Sequence, residues 1–321
     1  MERGLFYAFA SITLWGLVDA SGRVAMSYFH FNPFIFACTS FTYAGVSLLL
    51  IAGLGKNGLS TLTHPHTWLW GILRVINLVC LSYAYISVTA TEVAFINRIS
   101  VVIAVLLSFL VLRRKPHPLL LPGFLFISGC VLWLSLRQEG GFTNPAVWSV
   151  YLAAVLNAAM ALLIETHPDS KKTVGIRARC RYTGVVLLVA SLLFITTAFT
   201  VNTLEAYLPN AFHQPFAAPS YTDLTKTSFQ LFALFMGSLL IAPAMYVTFY
   251  AIRLLNTDNM MMVGTILPFA TIAFELVLSI FNILDIRAFD GIDLLLGMGV
   301  TIGALYCLTI NIINRKPHPN A

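Results

Sequence analysis

The chain of 321 residues is 58% hydrophobic and only 10% charged, with a mean hydropathy of +0.83. Soluble domains are near half apolar and about a quarter charged, so water is excluded as the main solvent and little room is left for a soluble domain. A formal net charge of +6 follows the distribution of basic residues between membrane segments and implies no nucleic-acid partner.

A membrane-crossing helix needs about 20 apolar residues. Ten stretches qualify: 4-27, 33-54, 68-88, 91-112, 119-136, 145-165, 180-202, 228-252, 259-281 and 290-313. In the first, Arg3 precedes an apolar run as in a signal peptide, but the charge count below works only with this segment retained as a span. Trp15, Asp19 and Arg23 recur every four residues there and share one helix face. The third span carries Arg74 one turn before Asn77, and the fourth carries Glu92 at its outer lip, then Arg98, then Ser100, Ala104 and Ser108 at four-residue spacing. The fifth opens on Gly123 and Gly129, a G-x5-G that returns in the tenth as Gly291 and Gly297. Such a recurrence suggests a repeated membrane module. Tyr151 and Asn157 lie in the sixth span, Tyr246 and Tyr250 on one face of the eighth, Pro268 and Glu275 in the ninth, and Gly299 and Gly303 in the tenth. The long connection 203-226 reads as an interfacial external loop, with Pro209, Pro215 and Pro219 among Phe212, Phe216 and Tyr221.

Lys and Arg accumulate in cytoplasmic loops. With both termini inside, and with Arg181 counted at the inner boundary of the seventh span, 13 of the 19 basic residues fall on the cytoplasmic side, three fall outside and three within spans. An odd number of spans scrambles this asymmetry, so the expectation is ten helices with cytoplasmic N- and C-termini. The five cysteines lie within spans or at the inner boundary, which implies no disulfide framework. All seven histidines read as loop or terminal residues, so no intramembrane metal site is expected, and no phosphate-binding loop is present for ATP hydrolysis. No cofactor is implied.

An ion within hydrocarbon costs several kcal/mol on insertion scales, so intramembrane charges are read as candidate function with a named partner. Asp19 and Arg23 are either a self-neutralising pair at the outer surface or part of a gate. Arg74 shows no acid at its depth, and an unpaired cation facing a water-filled cavity suits an anion such as a carboxylate or phosphate. Glu92 is a candidate proton carrier at the interface. With Asn77, Tyr246, Tyr250, Tyr151 and Asn157, Arg74 makes up the candidate substrate site. Small residues at four-residue spacing let membrane helices approach closely. The Ser100, Ala104 and Ser108 seam is expected inside the protomer, whereas Gly299 and Gly303 pack either internally or across a homodimer.

Trp15-Gly16, the Tyr83-Ala84-Tyr85 passage into the fourth span, Pro268 and the two G-x5-G openings together resemble the drug/metabolite transporter superfamily with paired EamA-type domains. The resemblance implies two five-helix halves, 1-140 and 141-321, of opposite membrane orientation. Helices 4 and 9 would meet near the centre, with helices 5 and 10 outside. On that arrangement Arg98 and Glu275 are expected to pair as a salt bridge that closes an outer gate or opens to a charged substrate. A Gly-Glu pair that commonly ends the fourth and ninth helices of such transporters is replaced here by Leu112-Arg113-Arg114 and Phe281-Asn282-Ile283.

The function expected is secondary transport of a small polar metabolite, anionic or zwitterionic, across a bacterial-type inner membrane by alternating access. The rival is a polytopic membrane enzyme acting on a lipid or glycan. It finds only scattered external acids (Glu139, Glu205, Asp223, Asp285 and Asp290) without metal-ligand spacing or a nucleophile-base set.

Overall fold

A computed structural model describes residues 2–53, 60–113, 116–166, 175–207, 224–255, 260, 263–284 and 291–314. Every regular element among these residues is helical, and none is a strand. Most of the external connection 203-226 lies outside the described residues. Eight helices are long and apolar enough to cross a membrane, and two shorter apolar helices, Gly264–Ile280 and Gly291–Cys307, stand where the ninth and tenth spans were expected. The outer surface is apolar: Leu50, Leu110 and Ile280 are exposed, as lipid contact requires. The protein is a multi-pass membrane protein.

Prolines and caps set where the chain turns. Helix α1 is Glu2–Arg23, continued by a π-helical turn, Val24–Tyr28. Helix α2, Pro33–Ala52, opens on Pro33, whose missing N–H costs nothing in a first turn. Asn32 caps it by accepting from the amides of Phe34 and Ile35 at 3.0 and 3.2 Å. Helix α3, Pro65–Ala84, again starts on proline.

The fourth span departs from the single helix expected. It consists of α4, Ala90–Ile96, and α5, Ile99–Leu112. Around Asn97 and Arg98 the backbone tightens to three-residue hydrogen bonds, from the amides of Arg98, Ser100 and Val101 to the carbonyls of Phe95, Asn97 and Arg98. Neither glycine nor proline marks this break. The Arg98 side chain supports it, donating from Nε to the Ala94 carbonyl at 3.2 Å.

The remaining helices are α6 Leu121–Arg137, α7 Pro145–Thr166, α8 Ile176–Tyr207, α9 Thr227–Leu234, α10 Ala242–Leu255, α11 Leu267–Ile280 and α12 Gly291–Asn314. A second π-helical segment, Phe235–Ile241, joins α9 to α10. A single 3-10 turn, Gly264–Ile266, leads into α11.

Packing pairs α2 with α8, α3 with α7, α1 with α10 and α6 with α12, while α11 lies against both α1 and α4. Several seams run antiparallel. Along α2 and α8, Thr42 meets Ser191, Gly45 meets Gly184 and Leu188, and Arg181 donates to the Ala52 and Gly53 carbonyls. Along α6 and α12, Gly123 meets Cys307 and Cys130 meets Gly299. Gly299 and Gly303 pack on Cys130, Phe126 and Ile127 of the same chain. The G-x5-G recurrence is unequal in use: Gly123 and Gly297 sit tightly against neighbours, whereas Gly129 and Gly291 face open space.

In lipid, close approach rather than hydrophobic exclusion drives helix association. A Cβ on Gly45 would come within 2.9 Å of the Gly184 carbonyl oxygen and the Leu188 amide. Gly45→Leu should therefore cost about 1–3 kcal/mol by overpacking, read as a lower melting temperature in detergent. Gly129→Leu, with no neighbour within 4 Å of a built Cβ, should melt like the parent.

Candidate functional site

A cavity of about 320 Å³ lies between α1, α3, the α4–α5 break, α7, α10 and the start of α11. On α1 its wall runs from Ser11 to Asp19 and stops there. Beyond Asp19 the bundle is closed by a layer of charge and then by aromatic rings: Phe31 packs on Phe36, Phe229 and Phe232. At the opposite end the wall reaches Trp70, Ile252 and Met260. The cavity is thus sealed beyond Asp19, while its wall extends toward the ends where α1 and α3 begin and α10 finishes.

The sealing charge is Glu275, fully buried on α11. Its partner is Arg23, with Nη1 donating to Oε1 at 2.7 Å. The Ala90 and Thr91 amides donate to the same carboxylate at 3.0 and 3.1 Å, and the Thr91 hydroxyl adds a short hydrogen bond. A carboxylate with four donors repays much of its desolvation. One anion thereby ties α1, α11 and the first turn of α4 together. Thr89 and Glu92 complete that turn as a reciprocal capping box, so Glu92 is held locally at the start of α4.

The expected Arg98–Glu275 pair does not form. Arg98 lies at the break of the fourth span and donates from Nη1 to the Gly264 carbonyl at 2.9 Å, one turn before α11. It bridges two irregular backbone segments, each with carbonyls freed from regular helical bonding. Nor do Asp19 and Arg23 neutralise each other. Asp19 accepts from the Tyr85 hydroxyl at 2.9 Å and lies within electrostatic reach of Arg98 and Arg74. The register of α1 against α11 decides which arginine meets the acid.

Arg74 faces the cavity. Its guanidinium carbon lies 5.1 Å from the Trp15 ring centroid and 5.8 Å from that of Phe41, a stacking that lowers the cost of a buried cation. Its Nε is buried without a hydrogen-bond acceptor among the described residues. Asn77 also lines the cavity, but its amide donates to the Ala153 carbonyl at 2.8 Å and holds α3 to α7. Asn157 is on the wall too, donating to Asn97 Oδ1 at 3.2 Å.

Three expected wall residues lie elsewhere. Tyr250 packs at a tilt on Tyr7 with ring centroids 4.4 Å apart, Tyr246 packs against the main core, and the Tyr151 hydroxyl bonds Ser135 at 3.0 Å. On α10 the cavity stripe is Met245, Thr248, Phe249 and Ile252, one residue out of phase with the tyrosines. Because a residue step turns a helix by about 100°, that offset moves both rings off the wall.

Trp70 was missed. It stands on the wall one turn before Arg74, and the stripe 70, 74, 77, 78, 81 on α3 was legible as a helical face. Thr248 was also missed; it accepts from Trp15 Nε1 at 3.0 Å and shares a hydrogen bond with Ser11 at 2.6 Å. Among the described residues no cluster of His, Cys, Asp and Glu has the makings of a metal site.

The fold is a helical membrane bundle around a largely apolar cavity that carries a few charged and polar groups. The EamA-like transporter family matches residues 2–136. That family lies within the drug/metabolite transporter superfamily and its members are transporters; the match covers the first 42% of this chain. Among solved structures 27 chains match; one, described as "Crystal structure of protein", aligns with 98% of this chain and 100% of its own at 17% identity and a TM-score of 0.56, a likeness of fold. No curated protein matches the chain in sequence.

Removing one member of a buried pair leaves the other charge uncompensated, at a cost of about 3–5 kcal/mol. Arg23→Met and Glu275→Met should each lower the melting temperature strongly, and the double variant should lose clearly less than the two losses added together. Strict additivity would show that the two charges do not depend on each other.

Proposed function

We propose that the protein is a secondary transporter that carries a small anionic or zwitterionic metabolite across an inner membrane by alternating access. Its ten spans would form two inverted halves, 1-140 and 141-321, with both termini cytoplasmic. The pairing of helices supports the inversion. If each span i corresponds to span i+5, then the second and seventh, fourth and ninth, and fifth and tenth spans pair with their own counterparts, and the first-with-eighth contact matches the third-with-sixth. A two-fold axis in the membrane plane makes such self-paired spans antiparallel, as the residue contacts along α2–α8, α4–α11 and α6–α12 are.

The single observation that carries the reading is a cavity at the centre of the bundle with Arg74 on its wall, closed on one side by the Arg23–Glu275 tie. On the charge-based topology that closed side is external, so the structure would correspond to an inward-facing state. Opening the outer side would require Arg23, Glu275 and the first turn of α4 to separate, a step in which a buried acid needs a new partner or a proton. Asp19 and Arg98, at the floor of the cavity, would then become the closing elements. A membrane enzyme is the alternative, but the irregular backbone here gathers around an interior cavity, as in transporters, and no catalytic set is present among the described residues.

Two measurements test the proposal. Purified protein in proteoliposomes should give saturable counterflow of a metabolite from a mixed anionic and zwitterionic panel. Arg74→Gln should cut it at least ten-fold with the melting temperature retained, while Trp133→Phe on the exposed surface should leave it unchanged. Formation of a product in detergent, with no flux in liposomes, would favour the enzyme. For topology, an alkaline phosphatase fusion after Gly140 should be active, and one within 167–174 should not. The opposite activities would overturn the orientation.

A further inference from the structure

We propose that the cavity takes a solute with one carboxylate and a flat apolar body, the carboxylate oxygens held by Arg74 and Trp70; the inference rests on the transport reading above and narrows its solute to a monoanion. Trp70 is 7% exposed. Its indole N–H and the Arg74 Nε–H, one turn apart on the cavity face of α3, are both buried with no acceptor among the described residues. Buried donors are almost always paired. Two unpaired donors on successive turns of one cavity wall mark a place where an acceptor with two oxygens belongs. Trp15 and Phe41 lie against Arg74, and a guanidinium flanked by rings offers its in-plane N–H groups to a planar carboxylate.

Most other polar side chains of the wall already have partners; Ser100 is a neutral hydroxyl that leaves the charge balance unchanged. Asn77 is bonded to the Ala153 carbonyl, Asn157 to Asn97, Arg98 to the Gly264 carbonyl, Thr248 to Trp15, and Asp19 to Tyr85. In formal charge the wall carries two arginines and one aspartate. A monoanion brings this to zero. A zwitterion leaves the surplus cation in place and sets an ammonium among guanidiniums, and a dianion overshoots; unbalanced charge in a poorly solvated interior is costly. The rest of the wall is apolar, with Leu78, Met245, Phe249, Ile252 and Leu267, so the body of the solute should be apolar as well.

The test is isothermal titration of the full chain in detergent with four compounds that share one ring. These are 3-phenylpropanoate, phenylalanine (which adds only the ammonium), phenethylamine (which lacks the carboxylate) and benzylmalonate (which adds a second carboxylate). Saturable binding of 3-phenylpropanoate is expected, at least ten-fold tighter than phenylalanine, with none for phenethylamine. Arg74→Gln should weaken it at least ten-fold. Trp70→Phe, which keeps a ring but removes the N–H, should weaken it about three- to ten-fold. Asp19→Asn, which adds one unit of positive charge to the wall, should turn the preference toward benzylmalonate. Variants are compared only where their melting temperatures match the parent.

Equal or tighter binding of phenylalanine, undiminished binding by Arg74→Gln, or no binding of any of the four would overturn the proposal. A carboxylate that binds as expected but is not carried into proteoliposomes leaves the site standing and removes the transport reading. Flux of a zwitterion without carboxylate binding does the reverse.

Discussion

Charge in a membrane interior must be paired, hydrogen-bonded or neutralised, and the Glu275 carboxylate shows what that demands of a fold. It collects Arg23 from α1 and the two amides and hydroxyl that open α4. Arg23, the Ala90–Thr91 turn and Glu275 are far apart in sequence, so the arrangement exists only when three helices stand at one depth. The other buried ions follow the same rule by different means: carbonyls freed at irregular backbone for Arg98, a phenol for Asp19, aromatic faces for Arg74. Of these, Arg74 alone retains a donor with no acceptor among the described residues, and it lines the cavity.

Regular and irregular backbone divide the work. The α2–α8 and α6–α12 seams are built on glycines that bring main chains into contact, as at Gly45 with Gly184 and Gly123 with Cys307. Around the cavity, by contrast, lie the break at Asn97 and Arg98 and the 3-10 turn before α11. Such backbone is tolerated in a membrane only where protein or water satisfies it, and it is also where a helix can change register at low cost. The arrangement suits rigid outer seams and an adjustable middle.

Much of the architecture was legible because it depends on local chemistry. Apolar runs of spanning length, proline at N1 of α2 and α3, and the Asn32 cap place helix starts without reference to neighbours. The candidate site was legible only in part. Arg74, Asn77 and Asn157 fall on the cavity wall, and Trp70 was there to be read as the next residue along the same stripe. Tyr246 and Tyr250 were misplaced because α10 is apolar on more than one face, so periodicity cannot say which face turns inward.

What the amino-acid order determined alone is the solvent, the approximate extent of each span and the presence of charges that lipid cannot host, since each follows from transfer free energies of short segments. Which charges meet was decided by tertiary structure. Arg23 rather than Arg98 reaches Glu275 because the axial register of α1 against α11 places it there, and the break after Ile96 turns Arg98 toward the Gly264 carbonyl instead. Register and rotation between helices are set by how side chains interlock across long sequence separations, and no single helix carries that information.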